Sequence, residues 1–142
     1  MNTKKIVFGI ILSVIGLMAM VLPCISIQPS GGGSSFNWNM FDLFDMKDSY
    51  PVFGALALIF GIAGIAFTLV GCFVHKKVFG ILGGIFVLVE LDFLTAAGIT
   101  AYMDIQNAGL TDYLVVPLGI VYFLLGVGMA IPFFIFVGKD RG

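Results

Sequence analysis

The sequence predicts an all-α integral membrane protein, a four-transmembrane-helix bundle with both termini in the cytoplasm. Two observations predict this fold: four long apolar runs cover most of the 142 residues, and six of the seven basic residues flank one set of their ends. Hydrophobic residues make up 60% of the chain, and the mean hydropathy is +1.13. Soluble domains have roughly 45–50% apolar residues, so a water-soluble fold is excluded.

The apolar runs place the spans at 6–24, 52–74, 78–102 and 113–137. About 20 apolar residues cross the hydrocarbon core, because each helical residue adds about 1.5 Å. Residues 25–51 then form one longer, aromatic external loop, and a short external loop joins the third and fourth spans. Residues 1–142 are therefore expected to form a single membrane domain with no room for a soluble catalytic domain.

The basic residues predict the orientation. They lie before the first span, between the second and third, and after the fourth: Lys4, Lys5, Lys76, Lys77, Lys139 and Arg141. Only Lys47 falls in the long loop, so the positive-inside rule makes the chain a multi-pass protein of the cytoplasmic or plasma membrane. The first span is expected to be retained as a helix, because Pro23 stands where signal cleavage needs a small residue. Lipidation of Cys24 is an alternative.

The long loop holds a candidate interaction segment, which comprises Phe36, Trp38, Met40, Phe41 and Phe44. Its first half alternates with polar residues and predicts a short strand, and its second half predicts a short helix that Asn39 could cap. Two interpretations are open for so many aromatic residues. The segment can lie at the level of the lipid headgroups, or it can dock a partner protein.

Small residues recur at intervals of three and four along the second, third and fourth spans. The candidate helix-packing seam comprises Gly54, Gly61, Gly64, Gly71, Gly80, Gly83, Gly119 and Gly126. Such rows let membrane helices approach closely, so we expect the three spans to pack tightly. The seam can operate within one subunit or between subunits.

Glu90 and Asp92 are the residues in the spans that could carry chemistry. Glu90 lies thirteen residues beyond Lys77, about 20 Å into the membrane. Because an ionised carboxylate there costs about 2.5–3.5 kcal/mol or more, Glu90 is expected to be protonated and to point into the bundle, with Tyr122 as its hydrogen-bond partner. Asp92 lies on the other side of the helix, where Thr95 could satisfy it.

Three interpretations of these two acids are open. They can be neutral hydrogen-bond donors that fix the helix register, or they can form part of a contact with a membrane partner. Alternatively, Glu90 can relay protons or cations in a transporter or channel. A relay normally needs a chain of polar residues, and the spans offer few.

Other function classes find no support in the sequence. The single histidine, His75, has no second histidine or cysteine pair to form a metal site. No catalytic triad, phosphate loop or dinucleotide motif is present, and no basic stripe suits nucleic acid. We therefore expect no enzymatic activity, no cofactor, no metal and no nucleic-acid partner.

The layout of two external loops, the first longer and aromatic, with both termini inside, resembles that of claudin-type tetraspan proteins. Claudins have a tryptophan-centred motif with two cysteines in the first loop, whereas no cysteine pair follows Trp38 here. The resemblance therefore covers topology alone and implies no junctional role. Small multidrug transporters also have four helices and a membrane glutamate, but theirs lies in the first helix, where this chain has no acid.

The sequence thus predicts a non-enzymatic membrane protein that works through interaction. It would be an accessory or regulatory subunit of a membrane complex, or a small protective protein such as an immunity factor. Its expected partners are the lipid bilayer and either another membrane protein or a second copy of the chain. The alternative is a small transporter or channel subunit with Glu90 as a proton or cation relay.

Overall fold

The computed structural model describes residues 3–29, 36–46, 49–74, 76–109 and 112–139. The helices in these ranges are α1 (Thr3–Val21), α2 (Tyr50–Phe73), α3 (Lys77–Asn107) and α4 (Gly119–Val137). All four are long and apolar enough to cross a membrane, which confirms the four apolar helices that the sequence predicts. Lys47, His75 and Arg141 lie outside the described residues.

The largest error in the predicted boundaries is at the start of the fourth span. Helix α4 begins at Gly119, and Tyr113–Val116 is a β-strand instead of a helical turn. Aromatic and β-branched side chains favour strands, and Pro117 disfavours helical geometry in the residue before it. The first helix also ends three residues earlier than predicted, at Val21, and α3 continues to Asn107.

A three-stranded antiparallel sheet joins the two loops at one end of the bundle. Its strands are β1 (Ile25–Pro29), β2 (Phe36–Trp38) and β3 (Tyr113–Val116), in the order β2-β1-β3. Ile25 pairs with Trp38, and Ile27 pairs with Phe36 on one side and Val115 on the other. Paired residues share a face, so the sheet has one apolar face made of these residues. Strand β2 confirms the strand that the alternation predicts.

Helices α2 and α3 pack with their backbones in contact at the glycines. A Cβ atom placed on Gly64 would lie 2.6 Å from the backbone nitrogen of Val87, and one on Gly71 would lie 2.7 Å from the Cα of Gly80. Helix α4 approaches α3 in the same way at Gly119. All eight seam glycines are buried. They face neighbouring helices or the loop of the same chain.

Helix α1 completes the bundle between α2 and α4. It also contributes glycines, which the predicted seam omits: a Cβ on Gly9 would lie 2.8 Å from the Phe133 ring of α4. The rings of Phe8 and Phe136 stack across the same interface with centroids 5.8 Å apart. The helices therefore follow one another around the bundle in chain order.

The inter-helix contacts define two tiers along the bundle. Gly61, in the middle of α2, faces both Met20 near the end of α1 and Glu90 of α3, while the first residue of α4 faces Leu94. Four helices are therefore present only up to this height. Beyond it, α2 and α3 continue alone, and the sheet takes the place of α1 and α4. We call this the sheet end.

The opposite end, which we call the termini end, carries the described basic residues. The ammonium groups of Lys4 and Lys139 lie 6.0 and 5.1 Å from the centre of the Phe136 ring. Lys5 is fully buried, and its ammonium group donates to the carbonyl of Val74 at 3.4 Å. The start of α1, the end of α2 and the end of α4 therefore meet at one end.

Candidate functional site

The segment after β2 folds into a short 3₁₀ helix, Phe41–Asp45, which has a buried face and an exposed aromatic face. Residues three apart eclipse one another in a 3₁₀ helix. Met40 and Leu43 form the buried face, both 0% exposed, and Leu43 packs on Gly54 of α2. Phe41 and Phe44 form an exposed aromatic face, 47% and 38% accessible. We call these two residues the aromatic pair.

Asn39 holds the start of this helix through a reciprocal pair of hydrogen bonds. The Asp42 backbone N–H donates to the Asn39 side-chain oxygen at 3.0 Å, and the Asn39 backbone N–H donates to the Asp42 carboxylate at 3.0 Å. The Asn39 amide also donates to the carbonyl of Val21 at 3.4 Å. Met40 occupies the N-cap position itself, so Asn39 makes these cap-like hydrogen bonds from one residue earlier, and they tie the loop to the end of α1.

The five residues of the predicted interaction segment do not form one exposed surface. Met40 is completely buried, and Trp38 is half-buried on the apolar face of the sheet. Phe36 is 54% exposed and stacks on Trp38 with ring centroids 6.4 Å apart. The three-residue repeat of the 3₁₀ helix turns Met40 inward. The aromatic pair and Phe36 are the members of the segment that reach the surface.

Cys24 lies in the connection between α1 and β1 and is completely buried. Its backbone N–H donates to the Trp38 carbonyl at 2.9 Å, and its thiol lies 3.5 Å from the same oxygen. Burial raises the pKa of the Cys24 thiol from 9.0 to about 12. A buried, protonated thiol is a poor nucleophile, which argues against lipidation and against an intersubunit disulfide in this folded state.

A cleft of about 330 Å³ opens between the apolar face of the sheet, the first residue of α2 and the last two turns of α3. The strand residues Ile25, Ile27 and Trp38 form one wall. Two carboxylates line the cleft, Asp45 from the 3₁₀ helix and Asp104 from α3. An apolar cavity with a few polar groups is typical of ligand sites.

Glu90 points into the bundle, as the sequence predicts, and is 0% exposed. Its carboxyl group occupies space left by two glycines on other helices. A Cβ on Gly16 of α1 would lie 3.1 Å from Oε1, and one on Gly61 of α2 would lie 2.9 Å from the same atom. The described part of the chain offers neither carboxyl oxygen a hydrogen-bond partner.

The prediction that Tyr122 is the partner of Glu90 is wrong. The Tyr122 hydroxyl donates to the carbonyl of Pro23 at 2.7 Å, in the connection that follows α1. Glu90 instead faces α1 and α2. Depth along the helices placed the two residues at similar heights, but depth does not determine which neighbour a residue faces.

Two further buried hydroxyls lie on the side of Glu90 that faces the termini end. Gly9 faces Cys72 and Gly16 faces Ile65, so Ser13, between them on α1, lies at the height of Thr68 on α2. Ser13 is 5% exposed and Thr68 is 0% exposed. Among the described residues neither hydroxyl oxygen has a hydrogen-bond partner.

Asp92 is on the opposite side of α3 from Glu90 and is exposed. It borders a shallow hollow between α3 and α4 that is lined by Leu88, Val89 and Phe123. Thr95, its predicted local partner, donates to the carbonyl of Leu91 at 2.8 Å. The two acids therefore belong to different environments, one in the core and one on the surface.

Comparison with protein-family models, curated proteins and solved structures gives no match to this chain.

The cleft is the feature that sequence reasoning missed. Its strand wall could have been found from the alternation in Ile25-Ser26-Ile27-Gln28, which is a strand pattern directly after the first span. That Asp45 and Asp104 line one cleft could not be found in this way, because 59 residues separate them. The 3₁₀ helix that carries Asp45 packs on α2, and α2 packs on α3.

Proposed function

We propose that this chain is a non-enzymatic interaction subunit of a membrane complex. It would be a multi-pass protein of the cytoplasmic or plasma membrane with the termini end in the cytoplasm, because the basic residues cluster there. The sheet end would then face outward and present the binding surface. Its role would be accessory, regulatory or protective.

The single observation that carries this proposal is the exposure of the aromatic pair on a rigid base. Met40 and Leu43 anchor the 3₁₀ helix to α2, and the Asn39 cap fixes its start. The rings of Phe41 and Phe44 are therefore presented in one place with little ordering cost on binding. Rigid exposed aromatic side chains are typical anchors of protein interfaces.

Exposed Asp92 supports a second contact at the level where α4 begins. The other residues that line the hollow beside it are apolar, so the Asp92 carboxyl group lies on the helix surface among apolar side chains. A polar group on the outside of a membrane helix is costly in lipid. A donor on a partner helix would satisfy it, and the two contacts would lie on one subunit at different heights.

Purification of the tagged protein from its native membranes in mild detergent tests this proposal. We expect a stoichiometric companion that is lost when Phe41 and Phe44 are both changed to Ala. Leu114→Ala is the matched control, because Leu114 is 57% exposed on the other face of the sheet. Absence of any companion, or its retention by the double variant, would overturn the proposal.

A second candidate function, a proton or cation carrier, is favoured by one specific observation. Ser13, Thr68 and Glu90 are buried polar groups, and the described residues provide none of their oxygens with a partner. Unsatisfied buried groups cost about 1–3 kcal/mol each, and water or a transported ion would satisfy them. These three residues come from three helices, and Ser13 lies about one helical turn from Gly16, which faces Glu90.

Proton flux into proteoliposomes separates the two candidates. A carrier should lose pH-dependent flux in Glu90→Gln, because the amide keeps the shape and hydrogen-bonding capacity but cannot exchange a proton. Asp92→Asn is the control, since Asp92 faces outward. Unchanged flux in Glu90→Gln, or no flux in the wild-type protein, would remove the carrier candidate and leave Glu90 a structural role.

A further inference from the structure

The cleft at the sheet end combines apolar walls with an acidic lining. Ile25 and Ile27 of β1 form one side, and Ala101 and Ile105 of α3 form the other. A second hollow of about 220 Å³ adjoins the cleft, because Ile27 and Ile105 also line it, together with Phe36 and Tyr113. The two hollows provide one apolar trough along the face of the sheet.

Two carboxylates from distant parts of the chain line the cleft. The Tyr50 hydroxyl donates to an Asp104 oxygen at 2.6 Å, which orients the Asp104 carboxylate and leaves its other oxygen as an acceptor. Asp45 contributes a second carboxylate from the 3₁₀ helix. Two carboxylates that line one cleft supply acceptors for a group that carries several N–H donors.

The lining is also suited to positive charge. Among the described residues every lysine lies at the termini end, and none lines the trough. The rings of Trp38 and Tyr50 border the same space. Aromatic faces attract cations, and the attraction is stronger where water is excluded. Carboxylates, aromatic rings and an apolar trough together favour one chemical class of ligand.

We propose that this cleft binds an organic ammonium ion on a hydrocarbon stem. The ammonium group lies between Asp45 and Asp104 and against Trp38, and the stem lies along Ile27 and Ile105 toward Phe36. The same chemistry occurs in a free alkylamine and in the ethanolamine headgroup of a lipid. The proposal is independent of the proposed function, because the aromatic pair does not line the cleft.

Trp38 provides a direct test, because it is the one tryptophan in the sequence and it lines the cleft. The full-length protein is placed in nanodiscs of phosphatidylglycerol, which has no ammonium headgroup, and titrated with hexylammonium. We expect a saturable change in Trp38 fluorescence. Hexanol and hexanoate are the ligand controls, and neither should produce it at the same concentrations.

The carboxylate variants test the acidic lining. Asp45→Asn and Asp104→Asn should each weaken hexylammonium binding by about tenfold, the loss of one favourable charge contact. Asp112→Asn is the control, because Asp112 is an exposed acid near β3 that does not line the cleft. Thermal unfolding of each variant shows that the fold is retained.

Lipid composition distinguishes the two sources of the ammonium group. If phosphatidylethanolamine in the nanodisc competes with hexylammonium, a lipid headgroup occupies the cleft. If it does not compete, the ligand is a soluble amine. Both results support an ammonium site. The proposal is overturned if hexanol binds as well as hexylammonium, if both Asn variants bind like Asp112→Asn, or if no saturable change occurs.

Discussion

Gly61 of α2 directly faces the carboxyl group of Glu90 on α3. A Cβ atom on Gly61 would lie 2.8 Å from the Glu90 Cδ and closer still to the Cε of Met20. The missing side chain is therefore the reason that a carboxyl group fits between three helices. This contact makes Gly61 part of the Glu90 environment as well as part of the helix seam.

Gly61→Ala should destabilise the protein, because the added methyl group must displace Glu90 and Met20. Overpacking of this kind costs about 1–3 kcal/mol. Thermal unfolding in detergent measures it. Gly128→Ala is the matched control, since a Cβ on Gly128 meets nothing within 4 Å and Ala favours the helix. Equal melting temperatures for the two variants would contradict the contact.

Tyr122→Phe should weaken the attachment of α4 to the connection after α1, because it removes the hydrogen bond to Pro23. We expect a loss of about 0.5–1.5 kcal/mol in the free energy of unfolding. Tyr102→Phe is the control, since Tyr102 is 47% exposed. If the Tyr122 hydroxyl bonded to Glu90 instead, Tyr122→Phe would not change the free energy of unfolding of the Glu90→Leu variant. The bond to Pro23 predicts that Tyr122→Phe lowers this free energy equally in the wild-type protein and in the Glu90→Leu variant.

Asn39→Ala should loosen the 3₁₀ helix, because it removes the side-chain acceptor of the Asp42 N–H and the donor to Val21 and leaves only the backbone carbonyl of residue 39 as acceptor. Loss of such a cap costs about 0.5–2 kcal/mol. Hydrogen exchange at residues 41–45 measures the change. Asn37→Ala is the control, since Asn37 is exposed on the polar face of the sheet. Protection that is the same in both variants would count against the cap.

Cys24 should resist alkylation in the folded protein. Its thiol is buried, so a reagent cannot reach the sulfur atom. Its pKa is raised to about 12, so little of the reactive thiolate is present. Maleimide labelling followed by peptide mass spectrometry should modify Cys24 only after denaturation, whereas a cysteine introduced at exposed Ser49 should react at once. Comparable labelling rates at the two positions would show that Cys24 is accessible.

The raised pKa of Cys24 also predicts a pH dependence of stability. The folded state holds the thiol proton more tightly than the unfolded chain, so its contribution is complete below pH 9 and is lost as the pH rises toward about 12. The wild-type protein should therefore lose more stability than Cys24→Ala between about pH 8 and about pH 10. Parallel curves of stability against pH for the wild-type protein and Cys24→Ala over this range would argue against a raised pKa of Cys24.

The sequence predicts the four helices because apolar length and composition suffice for them. It predicts the wrong start for the fourth because Tyr113–Val116 is as apolar as a helix turn, and hydropathy does not distinguish a strand from a helix. The strand depends on pairing with β1, 84 or more residues earlier. Such long-range pairing leaves no local signal in the sequence.

In the candidate sites too, features that depend on a local sequence pattern can be predicted, and features that depend on long-range packing cannot. Burial of Glu90 follows from its place on the small-residue row, which is a local helical pattern. The hydrogen-bond partner of Tyr122 does not follow from a local pattern, because it depends on the rotation of α4 and on the path of the chain at Pro23. A helical period of 3.6 places Met40, Phe41, Leu43 and Phe44 on one face, whereas the 3₁₀ period of three separates the buried Met40 and Leu43 from the exposed Phe41 and Phe44.

Strand β1, at the centre of the sheet, mechanically links the helices of the bundle to the sheet end. Strand β1 follows α1 after three residues, its neighbour β3 precedes α4 after two, and the Gly119 N–H donates to the Cys24 carbonyl where these connections meet. Any change in the tilt of α1 relative to α4 must therefore shear β1 against β3. The width of the cleft beneath the sheet would then change with the relative tilt of α1 and α4, which couples the shape of the cleft to the arrangement of the helices.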